Sequence, residues 1–157
     1  MLVDEVLPRE PVRQWVLSVP FPLRYLFATD PVAMGAVLGI AWRAIAAHPV
    51  RKAGLRQAAG RTGAVTLIQR FGSALNLNIH FHLLVLDGAY ELTPAGPRFR
   101  PVAAPTPAEL DALLGRIVGR IARHLERRGL GGGGAREAYP PSRPGGGQAP
   151  GGLPRHP

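Results

Sequence analysis

From Ile79 to Leu86 the chain reads Ile-His-Phe-His-Leu-Leu-Val-Leu, an apolar run closed by the turn signal Asp87-Gly88. Its β-branched and apolar content predicts a strand. Alternate side chains of a strand share a face, so His80, His82, Leu84 and Leu86 fall on one side and Phe81, Leu83 and Val85 on the other. With apolar residues on both faces, this strand is expected to be central and covered on each side. Ala64 to Phe71 predicts a second strand, joined to it through Gly72 to Asn78. Gln14 to Val19 predicts another, stopping in a tight turn at Pro20-Phe21-Pro22.

Two stretches carry a helical period instead. Asp30-Pro31 is an N-cap and first-turn pair. It opens a helix that offers Val32, Val37, Leu38, Ile40, Ala41 and Ile45 for burial and closes before Pro49. Gly35 and Gly39, one turn apart, suggest close packing of that helix on a neighbour. Thr106-Pro107-Ala108-Glu109 is a capping box with proline at the first helical position. Leu110, Leu113, Leu114, Ile117, Ile121 and Leu125 follow at helical spacing, and Gly129 marks the stop. Between the strands and this last helix, Ala89–Leu92 and Arg98–Val102 flank Thr93-Pro94-Ala95-Gly96-Pro97. They predict an edge hairpin, because Pro97 and Pro101 donate nothing to an inner ladder. The pattern as a whole is that of an α+β domain over residues 1–130, an antiparallel sheet with flanking helices.

After Gly131 the pattern stops. Nine Gly and six Pro fill the last 27 of 157 residues, a composition that predicts a disordered low-complexity tail over 131–157. Such an abrupt change of text suggests a frameshifted or decayed reading frame.

Charge narrows the range of partners. Lys and Arg total 19 against 10 acidic residues, for a formal net charge of +9, which favours polyanions and nucleic acid above all. Arg116, Arg120, Arg123 and Arg127 recur at i, i+4, i+7 and i+11 along the last helix, a stripe that suits DNA phosphates and suits a solvated face equally well. Residues 50–62, with Arg51, Lys52, Arg56 and Arg61, read equally as a phosphate-touching loop and as a solvated connector. With no cysteine, disulfides and Cys-ligated zinc are excluded. The start Met1-Leu2-Val3-Asp4-Glu5 lacks the features of a signal peptide, and the uncharged apolar run Val32–Trp42 is too short to span a bilayer. A soluble, cytoplasmic protein is expected.

His80 and His82, side by side on one strand face, make half of a metal site. The plain alternative is two hydrogen-bonded histidines on a half-buried face. The long block from Gly63 through Gln69-Arg70-Phe71 and Asn78-Ile79-His80-Phe81-His82 to Asp87-Gly88 resembles the central block of the two-tyrosine HUH transposases of rolling-circle-type insertion sequences. A second block, Val12-Arg13-Gln14-Trp15-Val16-Leu17-Ser18-Val19-Pro20-Phe21-Pro22-Leu23-Arg24-Tyr25-Leu26, resembles the opening strand of the same domain. The likeness covers about residues 8 to 128.

The resemblance implies a palm-like α+β fold and a transposase that nicks and transfers single-stranded DNA at insertion-sequence ends through a phosphotyrosine. It implies a divalent ion, Mg²⁺ or Mn²⁺, on His80 and His82, and no small-molecule cofactor or membrane. Gln69, Asn76 and Asn78 are candidates to complete the metal shell. The family's zinc module ahead of this segment and its paired catalytic tyrosines behind it have no counterpart here. Tyr25, Tyr90 and Tyr139 each lack a two-tyrosine helix, so no catalytic residue is assigned, and a truncated copy inactive on its own is expected. Two other classes fit less of the chain. One is a non-catalytic nucleic-acid-binding remnant; the other is a His-x-His metal-dependent hydrolase, disfavoured because about 130 ordered residues fall short of a typical barrel of roughly 250.

Overall fold

The computed structural model describes residues 9–72 and 76–130; the expectations for the 131–157 tail and for Tyr139 lie outside the described residues. The chain runs through β1 (Val12–Ser18), α1 (Phe21–Thr29), α2 (Pro31–Lys52), β2 (Gly60–Arg61), β3 (Ala64–Phe71), β4 (Leu77–Leu86), β5 (Gly88–Thr93), β6 (Gly96–Pro101) and α3 (Pro107–Arg127). This is the α+β architecture that the periodicity predicts. The strands form two antiparallel sheets rather than one, in the orders β1-β4-β3 and β2-β5-β6.

β4 is central in the first sheet, and its two faces have different fates. Ile79, Phe81, Leu83 and Val85 are each no more than 1% exposed and pack into one cluster with Val37, Ala41 and Ile45 of α2 and Leu113, Ile117 and Leu125 of α3. The opposite face, with Asn78, His80, His82 and Leu84, is only half-buried. It was expected to be covered; instead all three helices pack on the Phe81 side. Leu86, at the strand's end, is the only member of that face to be buried.

The Pro20-Phe21-Pro22 turn is in fact the first turn of α1. Pro20 occupies the N-cap and Pro22 an early helical position, where a missing N–H costs nothing. α2 opens as its cap predicts, with the Asp30 carboxylate accepting from the Ala33 N–H at 2.8 Å. It does not close before Pro49 but runs on to Lys52 with Pro49 inside. The proline forfeits the hydrogen bond that residue 49 would make to Ile45 O, and burial of its ring against the core offsets that loss. Val32 is 73% exposed rather than buried, and a side chain at Gly35 would meet nothing within 4 Å, so close packing is not that glycine's role. At 22 residues α2 is long and apolar enough, by length and composition alone, to cross a membrane. Its buried face, Ala33, Val37, Ala41, Ala44, Ile45 and His48, is that of a core helix.

The β5–β6 hairpin does not border the histidine sheet. β5 is the middle strand of the small sheet, and the proline-bearing β6 is its edge. The hand-over occurs at Asp87, whose carboxylate takes both Nε (3.0 Å) and Nη2 (2.5 Å) of Arg13, while its N–H donates to Pro11 O at 2.7 Å. Gly88 then passes so close to β6 that a Cβ would stand 2.5 Å from the Phe99 ring; only glycine fits.

α3 has the predicted capping box, with the Thr106 hydroxyl accepting from Glu109 N–H and Glu109 accepting from Thr106 N–H. Its far end is a Schellman turn: Leu130 N–H donates to Leu125 O, Gly129 N–H to Glu126 O, and Gly129 takes φ 68°. Leu110, Leu114 and Val118 stay 37–42% exposed along an apolar groove of about 410 Å³ between α3 and β1.

The two faces of β4 give a direct test. Phe81→Ala should cost about 3–5 kcal/mol in urea unfolding. His82→Ala, one position along but on the open face, should stay within about 0.5 kcal/mol. Equal costs would show that both faces are covered.

Candidate metal and nucleic-acid site

His80 and His82 stand on the same face of the central strand, as the period-2 pattern requires. Their ring centroids are 6.3 Å apart and the planes are tilted by 43°. Two imidazoles that bind one ion through nitrogen at about 2.1 Å have centroids at most about 6.5 Å apart. The pair is therefore within reach of a shared ion in a nearly linear arrangement, and a right-angled one would require the rings to close by roughly 1.7 Å.

Both rings are held from behind through Nδ1. His80 Nδ1 lies 3.0 Å from the Asn78 carbonyl oxygen, which fixes that nitrogen as the N–H donor and leaves Nε2 as a lone-pair donor facing outward. His82 Nδ1 lies 3.0 Å from Gln14 Nε2. Exchanging the amide's nitrogen and oxygen would give His82 the same tautomer as His80. The register sets Ser18 of β1 and Gln69 of β3 opposite His80, and Val16 and Leu67 opposite His82. Gln69 donates to Phe71 O at 3.0 Å. Asn78 Oδ1 is buried with no hydrogen-bond partner among the described residues, an acceptor left without a donor. No group of three or more His, Asp or Glu that could hold an ion occurs among the described residues. Any ion on the histidine pair must therefore complete its shell with carboxamide, water or phosphate oxygens.

The arginine stripe does not join this face. Arg116, Arg120, Arg123 and Arg127 are all exposed, but α3 packs on the Phe81 side of the sheet, so the sheet separates the stripe from the imidazoles. The large apolar groove also lies on the helix side. Tyr25 is 74% exposed on α1; Tyr90 is half-buried on β5, edge-on to Phe99 at 5.2 Å. Neither shares a helix with another tyrosine. Arg51 and Lys52 end α2, and Lys52 is tied to Glu109 at 2.6 Å and to Ala104 O at 3.0 Å, as a structural strut does. That hydrogen bond and the Thr106 N–H pull the Glu109 carboxyl down to about 2.

A third histidine, His48, is structural. It is 8% exposed, edge-on to Trp15 at 6.4 Å, and its Nε2 is buried without a partner. Burial pushes it below its ordinary value; Glu109 pulls the other way, and Lys52, Arg51 and Arg116 reinforce the depression.

Residues 63–139 match a protein family described as "Putative transposase". That segment spans β3 to α3 and includes both His80 and His82. Among curated proteins and solved structures, none matches the chain.

The buried His48 makes stability depend on pH. The folded site holds a proton less well than the unfolded chain, so below about 6.5 the unfolded state takes up the proton first and stability falls. The Glu109 contribution is lost only lower, between 4.5 and about 2. Urea midpoints should therefore drop between pH 7.5 and 5.5, and His48→Leu should flatten that drop. An unchanged slope in the variant would exclude His48 as its source.

Proposed function

We propose that this chain, whose residues 63–139 match a family described as "Putative transposase", is a transposase-family protein that binds single-stranded DNA on the open face of its first sheet, where His80 and His82 hold a divalent ion. The observation that carries the reading is the paired placement of the two imidazoles, 6.3 Å apart on a solvent-facing sheet surface within the family segment. The residues present suit the ion. Both Nδ1 atoms are engaged, and the carboxamides of Gln14, Gln69 and Asn78 border the pair. These are the neutral nitrogen and oxygen donors that Mn²⁺ takes, and Mg²⁺ would rely more on water and phosphate oxygen.

Such an ion, when bound, neutralises charge on a phosphate oxygen and so favours attack at phosphorus. The chain's own residues have simpler tasks. Asn78 O and Gln14 orient the rings, Gln69 borders His80 as a polar neighbour, and the exposed arginines of α3 supply sequence-independent attraction to the phosphate backbone. Strand cleavage needs in addition a nucleophile held in line with phosphorus. Neither Tyr25 nor Tyr90 stands paired on a helix, and we assign the nucleophile to neither. The chain is expected to bind DNA and metal and, by itself, to cut little or nothing.

Isothermal titration with Mn²⁺ tests the site. His80→Ala and His82→Ala should abolish binding, and Gln14→Leu, which releases the His82 ring, should weaken it about 10-fold. Unchanged affinity in the histidine variants would remove the metal from this reading.

Salt titration of a labelled single strand tests the stripe. Replacing Arg116, Arg120, Arg123 and Arg127 by Gln should flatten the slope of log K against log salt by roughly 3. An unchanged slope would return the stripe to solvent. Incubation with Mn²⁺ and a single-stranded substrate should give no covalent adduct on a denaturing gel. An adduct lost in Tyr25→Phe or Tyr90→Phe would instead identify a nucleophile.

A further inference from the structure

Aromatic side chains are usually buried for their large apolar area, and Phe27 and Phe81 are, at 1% exposure each. Three others are not. Phe21 is 80% exposed, Tyr25 74% and Phe71 53%. Phe21 and Tyr25 are separated by one turn of α1 and so share its outer face. Phe71 is at the end of β3.

Contacts tie all three to the end of the sheet where β4 begins. Ser18 pairs with His80 and Val19 N–H donates to Ile79 O at 3.1 Å, so α1 starts beside the histidine strand. Arg24 then reaches back from α1. Its Nε donates to Val19 O at 3.1 Å and its Nη1 to Leu77 O at 3.4 Å, and its guanidinium carbon lies 5.8 Å from the Phe21 ring centre. Leu77 in turn pairs with Phe71. One arginine thus links the Phe21 helix to the strand end where Phe71 sits, and β1 and β3 lie on the order of 10 Å apart across β4.

The charge around the rings selects their partner. Asp30 is the only acidic residue between positions 11 and 86, and its carboxylate is occupied by Ala33 N–H and Arg128. Arg24 stands against the Phe21 ring, and Arg70, next to Phe71 in sequence, is exposed. Exposed π-faces beside a guanidinium group suit stacked bases and phosphates. Bases inside a duplex have no free face to offer. We infer that Phe21, Tyr25 and Phe71 form a stacking platform for the unpaired bases of single-stranded DNA at the end of the sheet where β4 begins, with Arg24 on the backbone. This deepens the proposed DNA-binding function and rests on it.

The test uses the full chain without metal, a fluorescent 15-nucleotide thymidine strand, and an abasic strand of equal length and charge. Phe21→Leu, Tyr25→Leu and Phe71→Leu keep apolar bulk but remove the π-face. Their exposure leaves folding intact, which circular dichroism checks. Each variant should bind the thymidine strand about 5- to 100-fold more weakly, and the abasic strand should bind wild type and variants alike.

Wild-type affinity for the thymidine strand in all three variants, or equal affinity of wild type for both strands, would overturn the platform and leave the metal site standing. Failure of wild type to bind either strand at low salt would overturn the DNA-binding function itself. Sedimentation showing dimers that the leucine variants dissociate, with DNA affinity unchanged, would make the rings a self-association surface and overturn the proposal.

Discussion

The period-2 alternation along β4 is the constraint from which the rest follows. Four consecutive inward positions, Ile79, Phe81, Leu83 and Val85, are essentially removed from water, each contributing on the order of 1.5–3 kcal/mol of apolar burial. A slip of one residue would exchange them for Asn78, His80, His82 and Leu84 and place imidazoles under the helices without partners. The core therefore dictates the register. The register in turn puts both histidines on the same side, toward solvent, at a spacing that no local interaction has to enforce. Stability and chemistry are written on opposite faces of one strand.

The ends of that strand carry the other decisions. At its C-terminal end the Arg13–Asp87 pair joins β1 to the exit of β4, and Gly88 lets the chain enter a second sheet past Phe99. At its N-terminal end Arg24 closes α1 against the carbonyls of Val19 and Leu77. One end is thus sealed by an ion pair and a glycine. The other carries Arg24 and the exposed rings of Phe21, Tyr25 and Phe71.

Basic charge is split between two surfaces. The α3 arginines face outward on the helix side, and Arg24 closes α1 against the strand end at Val19 and Leu77. At physiological salt screening limits each surface's attraction to about 8 Å, so each acts on the stretch of polyanion next to it. Local contact with bases likewise depends on side chains that share a surface. The separation of the two surfaces distinguishes general affinity for a polyanion from recognition at the histidine pair.

Sequence alone determined what depends on local pattern. Strand β3, the same-side placement of His80 and His82, the Asp30 cap and the Thr106–Glu109 capping box all follow from neighbours within a few residues, and so does the stop at Gly129. The family likeness was equally legible, because the block around His80-Phe81-His82 is contiguous. What tertiary structure alone decided was which faces are covered. An apolar strand does not say whether one or two layers flank it, so the open histidine face was not foreseen. The same holds for the exposure of Val32 and for the separation of the arginine stripe from the imidazoles. Pro20-Phe21-Pro22 read as a turn because proline punctuates both turns and first helical turns, and one of the Arg24 contacts that favour the helix, to Leu77 O, comes from 53 positions away in the chain. Pro49 read as a stop for a similar reason, since burial against the core holds the last turn of α2 together where local propensity would end it. The exposed rings could not be recognised either: on sequence Phe21, Tyr25 and Phe71 are apolar residues like any others, and only packing shows that none of the described residues covers them.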